Sequence, residues 1–113
     1  MKKIEIITRP ENLDKVKKIL AKNEYSGLSV SAIMGCGHQK GALGDEFIAL
    51  NEQMHLLPKI NIMTVVWDED LEEILKEIQE TISTNQVGDG KIFISTVDDV
   101  IRIRNGERGE KIL

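Results

Sequence analysis

The chain of 113 residues has one cysteine, Cys36, so it closes no intrachain disulfide and builds no multi-cysteine metal site. A lone thiol of this kind reads as a cytoplasmic one. Long apolar runs are missing too. The early run Ile4 to Ile7 is interrupted by Glu5 and stops at Thr8-Arg9-Pro10, too short for a signal peptide, and nothing approaches transmembrane length. Any membrane role is therefore expected to pass through a partner. A basic excess is also lacking, and a net charge of −4 argues against a general nucleic-acid binder. The pattern Gly-x-x-x-x-Gly-Lys-Ser/Thr does not occur, which excludes a Walker A loop. Catalytic constellations are equally thin. Cys36 and His38 stand two apart beside glycines, and no acidic residue is placed to orient His38 or His55, so Cys36 reads as a packing residue at a strand end. Asp89 would have to serve as a base from inside its own turn, so an ATPase or kinase is the weaker class of answer and a non-enzymatic role is expected.

What is present describes a folded chain: 41% hydrophobic and 30% charged residues, read as a single domain over residues 1–113. At this length the core is modest, and self-association would add to its stability. Ile4, Ile6 and Ile7 predict a first strand, with a helix starting near Pro10, where proline suits the first turn. Leu13, Val16, Ile19 and Leu20 recur at helical spacing with lysines around the rest of the cylinder, and the helix is expected to stop near Asn23. Leu28, Val30, Ala32 and Met34 alternate as a second strand ending at Gly35. Residues 37–55 show no sustained periodicity, and so long a gap in a small domain reads as a functional loop. Its Phe47, Ile48 and Leu50 would be unfavourable in water, so packing onto a partner is a plausible use. Ile60, Ile62, Thr64, Val65 and Val66 form a third strand, apolar enough for a central position. Asp70 followed by Glu73 fits a capping box before the stripe Leu71, Ile74, Leu75, Ile78 and Ile82. A fourth strand spans Lys91 to Val97, and a last short run spans Val100 to Ile103. The order β-α-β-β-α-β is the split βαβ arrangement of an α+β, ferredoxin-like sandwich, with both helices on one sheet face. The other face needs cover that the chain does not supply, which points to self-association.

Four glycines and four cations crowd residues 87–109 of this acidic chain. Gly88 and Gly90 flank Asp89, and glycines there let backbone N–H groups approach an anion closely. Lys91 follows. Arg102 and Arg104 are two apart, so on an extended run both guanidinium groups leave the same face, an arrangement suited to phosphate. Taken alone, Gly-Asp-Gly-Lys favours an ordinary Asp-Gly turn leading into a charged strand edge. The coincidence of that turn, the paired arginines and a second glycine-rich cationic loop at Gly35 to Gly41 favours an anion site.

Val87 to Ser95, Ile101 to Gly109, the loop residues Gly35, Gly37, Gln39, Lys40 and Gly41, and Leu57-Pro58-Lys59 together resemble the PII nitrogen-regulatory signal-transduction proteins over nearly the whole chain. The resemblance implies a homotrimer with ligand sites in the clefts between subunits. ATP or ADP would lie there, with Gly88, Asp89 and Gly90 along the phosphates, Lys91 and Arg104 on phosphate oxygens, and Arg102 reaching across from the adjacent subunit. Ser29 and Thr84 match positions that hydrogen-bond the nucleotide, and Gly37, His38 and Gln39 belong to the same site. Gln39 would complete the sphere of a magnesium ion shared by ATP and 2-oxoglutarate, and Lys59 would pair with the distant carboxylate of that metabolite, with Lys40, Gly41 and Gly88 beside it. The partner implied is a regulated protein such as a transporter or an enzyme of nitrogen metabolism, contacted through the 37–55 loop.

The chain departs from the family pattern at several places. Met63 stands where a glutamate is expected near the adenine, and His38 where an arginine reaches the terminal phosphates. Asn51 occupies the neighbourhood of a tyrosine that is uridylylated in many members. Tyr25 is the sole tyrosine and lies outside the loop, so that modification is excluded. The loop also lacks the arginine with which relatives plug ammonium channels. Two alternatives stand beside the regulator: a sensor of adenine nucleotide alone, and an adaptor indifferent to nucleotide.

Overall fold

The computed structural model describes residues 1–25, 27–35 and 56–113. Strand β1 (Lys2–Thr8) leads through a 3-10 turn at Pro10–Asn12 into helix α1 (Leu13–Lys22). Strands β2 (Leu28–Gly35) and β3 (Leu57–Val66) follow, then a 3-10 turn at Asp68–Asp70, helix α2 (Leu71–Ile82), strand β4 (Gly90–Thr96) and a short 3-10 turn at Glu110–Ile112. The sheet is antiparallel throughout the order β2-β3-β1-β4. This is the α+β, ferredoxin-like β-α-β-β-α-β sandwich that the periodicities predict. Among the described residues no helix is long and apolar enough to cross a membrane.

Alternation decides which face is buried. Ile4, Ile6 and Thr8 of β1 pair with Thr64, Ile62 and Ile60 of β3, and all six side chains are buried. Over them lie Val16, Ile19 and Leu20 of α1 and Leu71, Ile74, Ile78 and Ile82 of α2, the stripes expected from helical spacing. The central strands thus carry the core. The edge strands contribute only the half-buried Leu28 and Ile92, and Val30 and Met34 stay exposed although the register turns them to the helix side.

Among the described residues, no helix lies on the opposite face. Its rows run Ser29, Met63, Glu5, Phe93 and Ser31, Asn61, Ile7, Lys91 across the four strands, so it is mixed in character. Asn61 Oδ1 is buried there with no hydrogen-bond partner among the described residues.

Two local expectations are overturned. Asp70 makes no side-chain cap to α2. Its carboxylate instead accepts the hydroxyl of Tyr25, which is itself buried and stacked edge-on against Trp67 at 5.7 Å. A buried phenol that needs an acceptor outcompetes backbone N–H groups that water also reaches. Burial first, and then the Asp70 hydrogen bond, push the Tyr25 hydroxyl up to about 12. The run Val100 to Ile103 is also not a strand. Ile101 bridges Arg108, and the chain turns between them, with the Arg102 N–H donating to Glu107 O and the Gly106 N–H to Arg102 O, both at 2.8 Å. Asn105-Gly106 drives the turn: Gly106 takes φ +75°, and Asn105 Oδ1 accepts the Glu107 N–H at 3.0 Å. Arg102 and Arg104 therefore do not share the face of an extended strand.

Candidate functional site: the turn at the head of β4

Residues 83–90 link α2 to β4, and two positive φ values, +101° at Gly88 and +107° at Gly90, bend the last part back toward β1. At Gly90 the glycine is obligatory, because an added Cβ would come 1.9 Å from the carbonyl oxygen of Ile7. Three consecutive carbonyls of this turn are each taken by a side chain from β3 or from the end of β1 and the residue after it. Arg9 Nη2 donates to Val87 O at 3.3 Å, Lys59 Nζ to Gly88 O at 2.9 Å, and Thr8 Oγ1 to Asp89 O at 2.7 Å. Asn12 Nδ2 in turn donates to the Thr8 hydroxyl at 2.9 Å, which leaves that hydroxyl hydrogen directed at Asp89.

The Asp89 carboxylate is turned toward the protein. It accepts Arg9 Nη1 at 2.6 Å, the Thr84 N–H at 2.7 Å and the Thr84 hydroxyl. The Thr84 hydroxyl, then Arg9, then the Thr84 N–H hold its carboxyl well below the usual carboxylate range. So weak a base is unsuited to general-base chemistry.

The predicted site residues fall into three sets. Lys59, Thr84, Gly88, Asp89, Gly90 and Lys91 come together at the turn. Lys91 lies on the open face beside Ile7 and, among the described residues, has no ion-pair partner. Ser29, Arg102 and Arg104 make no recorded hydrogen bond or ion pair to the turn. Ser29 is exposed on the edge strand opposite Met63, Arg102 pairs with Glu107 at 2.9 Å, and Arg104 stands exposed in the C-terminal turn. Gly37, His38, Gln39, Lys40 and Gly41, together with Cys36, Asn51 and His55, lie outside the described residues, as does the 37–55 loop, so the missing loop tyrosine has no structural counterpart here.

Sequence reasoning missed Arg9 and Thr8. Thr8-Arg9-Pro10 reads as the end of one element and the start of another, and nothing local ties it to a carboxylate 80 positions away. The only usable signal is the register that sets Thr8 opposite Gly90. Beside the turn, on the helix side, an open cavity of about 370 Å³ lies among Ile6, Thr8, Gln79, Ile82, Gly90 and Ile92.

The sequence profile described as "Nitrogen regulatory protein P-II" matches residues 1–107, a span that takes in this turn, β4 and most of the C-terminal segment. The chain belongs to the P-II family. Among curated P-II proteins, Nitrogen regulatory protein P-II 2 of Methanothermobacter thermautotrophicus is 42% identical over 111 residues, covering 98% of this chain and 96% of that one. The P-II protein of Cereibacter sphaeroides is 43% identical over 110 residues, covering 97% of each. Among solved structures, Arabidopsis thaliana PII bound to citrate superposes with a TM-score of 0.77 at 34% identity, covering 97% of this chain and 89% of that one. The P-II relatives are named for nitrogen regulation.

Proposed function

We propose that this P-II protein senses adenine nucleotide and transmits the bound state to a protein partner through the loop at residues 37–55. ATP and ADP compete for one site on the Gly88–Lys91 turn, with Lys91 and Arg104 on phosphate oxygens, Arg102 reaching in from a neighbouring subunit, and Ser29, Thr84, Gly37, His38 and Gln39 completing the set. The observation that carries this reading is the turn itself. Its carbonyls are drawn to the protein side, and the Lys91 ammonium next to it has no counter-charge among the described residues. The adjoining cavity leaves room for a ligand of small-molecule size. The bare sheet face, with the unpaired Asn61 Oδ1, supports a homotrimer in which a second and third copy provide the cover.

The effector is 2-oxoglutarate, which binds only with ATP and magnesium. Among the described residues no group of His, Cys, Asp or Glu forms a metal cage. The magnesium ion takes most of its oxygens from phosphates and metabolite, with Gln39 as the protein donor. Lys59 already donates to Gly88 O, so Lys40, Gly41, Lys59 and Gly88 form the carboxylate end of the site. Citrate bound by the Arabidopsis relative supports a carboxylate-accepting site in the family. A ligand that bridges loop and turn favours one loop arrangement by its differential affinity, and the output is contact, from the cytoplasm, with a transporter or an enzyme of nitrogen metabolism.

Isothermal titration of ATP, of ADP, and of 2-oxoglutarate into protein saturated with Mg-ATP tests this reading. Heat from 2-oxoglutarate with Mg-ATP, absent with ADP or EDTA and absent in Gln39→Ala, is the expected result. Nucleotide heat without 2-oxoglutarate heat leaves a nucleotide-only sensor, and no heat at all leaves an adaptor.

A further inference from the structure

Peptide planarity converts the three captured carbonyls into a statement about three amides. In a trans peptide the C=O and N–H point in opposite directions. With Val87 O, Gly88 O and Asp89 O drawn to Arg9, Lys59 and Thr8, the N–H groups of Gly88, Asp89 and Gly90 are aimed away from those side chains. Among the described residues, the N–H groups of Gly88 and Asp89 meet no backbone or side-chain acceptor. Successive unpaired amides in a turn of this kind make a concavity for an anion.

Of the three side chains, Arg9 alone binds the turn twice, through Val87 O and through the Asp89 carboxylate, and that carboxylate also holds Thr84 at the start of the same loop. The planar fork of a guanidinium presents both donors in one fixed geometry, which an ammonium does not. The Arg9 charge is matched by Asp89 at 2.6 Å, so it is not an unneutralised cation awaiting a ligand.

We propose that Arg9 is the positioning residue of the anion site: its two-pronged hold on Val87 and Asp89 fixes the outward amides of Gly88 and Asp89 for phosphate oxygens, without touching the ligand. This rests on the reading of the turn as a phosphate site. It distinguishes geometry from charge. A lysine at position 9 keeps the charge but loses the fork, so it does not rescue.

The test uses Arg9→Lys beside Arg9→Met in the full chain, with ATP calorimetry and amide NMR in which inorganic pyrophosphate is the probe. Both variants are expected to weaken ATP about tenfold, the scale of one lost charge-assisted hydrogen bond. They are also expected to lose the pyrophosphate-induced shifts of the Gly88 and Asp89 amides, while resonances outside residues 84–91 stay in place. Arg9→Lys binding ATP as tightly as the unaltered protein overturns the proposal. So does weakened binding accompanied by shifts throughout the sheet, which marks a merely structural role. If the unaltered protein binds no ATP, the nucleotide reading fails and pyrophosphate alone decides. Shifts present in the unaltered chain and absent in Arg9→Lys uphold the positioning role, and shifts alike in both, or in neither, sink it.

Discussion

Two glycine turns with cations close the chain, and they are built on opposite plans. The Gly88–Lys91 turn is held by donors from β1 and β3, from residues 29 to 81 positions away. The Arg102–Arg108 turn is held by itself: Arg102 pairs with Glu107, Asn105 brackets Glu107, and Arg108 pairs with Asp99. Its tip is so far from any packing that Ile103 is 99% exposed. Glycine and cations thus occur in one turn whose shape is imposed by the core and in one whose shape is local. An imposed shape can be preorganised for a ligand, whereas a local one can deliver a charge to it.

The sharpest way to break this contrast is to add one methyl group to each turn. Gly90→Ala sets a Cβ against the Ile7 carbonyl at φ +107°, so its cost combines left-handed strain with a backbone overlap and should exceed about 3 kcal/mol. Gly106→Ala meets nothing within 4 Å at φ +75°, so only the strain remains, about 1 kcal/mol. Urea denaturation of both variants decides. Equal costs would mean that the β4 turn yields as freely as the tail.

Ligand binding sharpens the same contrast. Lys91→Ala and Arg104→Ala, one in each turn, should each weaken ATP by more than about 1.5 kcal/mol, the lower range for a hydrogen bond to a charged group. Lys15→Ala and Lys18→Ala on the exposed side of α1 should leave calorimetric affinity unchanged. An equal loss in both sets would reveal diffuse attraction instead of a site.

Acid tests the hold on the first turn. The folded-state value of Asp89 lies below its unfolded value near 3.9, so its stabilisation is full above that value and is lost as pH falls through the folded one. Carboxyl-carbon NMR should therefore find Asp89 ionised at about pH 3, where an ordinary aspartate is mostly protonated. In Asp89→Asn the stability curve should flatten in this acid range. A midpoint near 3.9 for Asp89 would show that Arg9 and Thr84 do not grip the carboxylate.

The fold was legible because burial here follows local periods. Alternation at Ile60, Ile62 and Thr64 and helical spacing at Leu71, Ile74, Ile78 and Ile82 report directly which side faces the core. The glycine turn was legible as a turn for the same reason. What holds it was not, since Arg9 reaches Asp89 only after β1 and β4 have paired in one register. The two local misreadings share a cause. Asp70 and Arg102 were assigned by short-range rules, a capping box and strand alternation, and each was captured by a partner those rules do not contain: the Tyr25 hydroxyl for one, the Asn105-Gly106 turn for the other.

The smallest expected effect tests whether the C-terminal turn is as independent as it looks. Arg102 and Glu107 form an ion pair at 2.9 Å with side chains 35% and 47% exposed, where solvent screens the attraction and ordering two long side chains offsets much of it. A double-mutant cycle of Arg102→Gln and Glu107→Gln should give a coupling below about 1 kcal/mol that shrinks further as salt is added. Neither variant should move the amide resonances of Gly88 or Asp89, because, among the described residues, no hydrogen bond or ion pair links the two turns. If the coupling were several times larger and salt-resistant, Arg102 would be part of a desolvated network. The clean division between a core-imposed turn and a self-contained one would then be wrong at its simpler end.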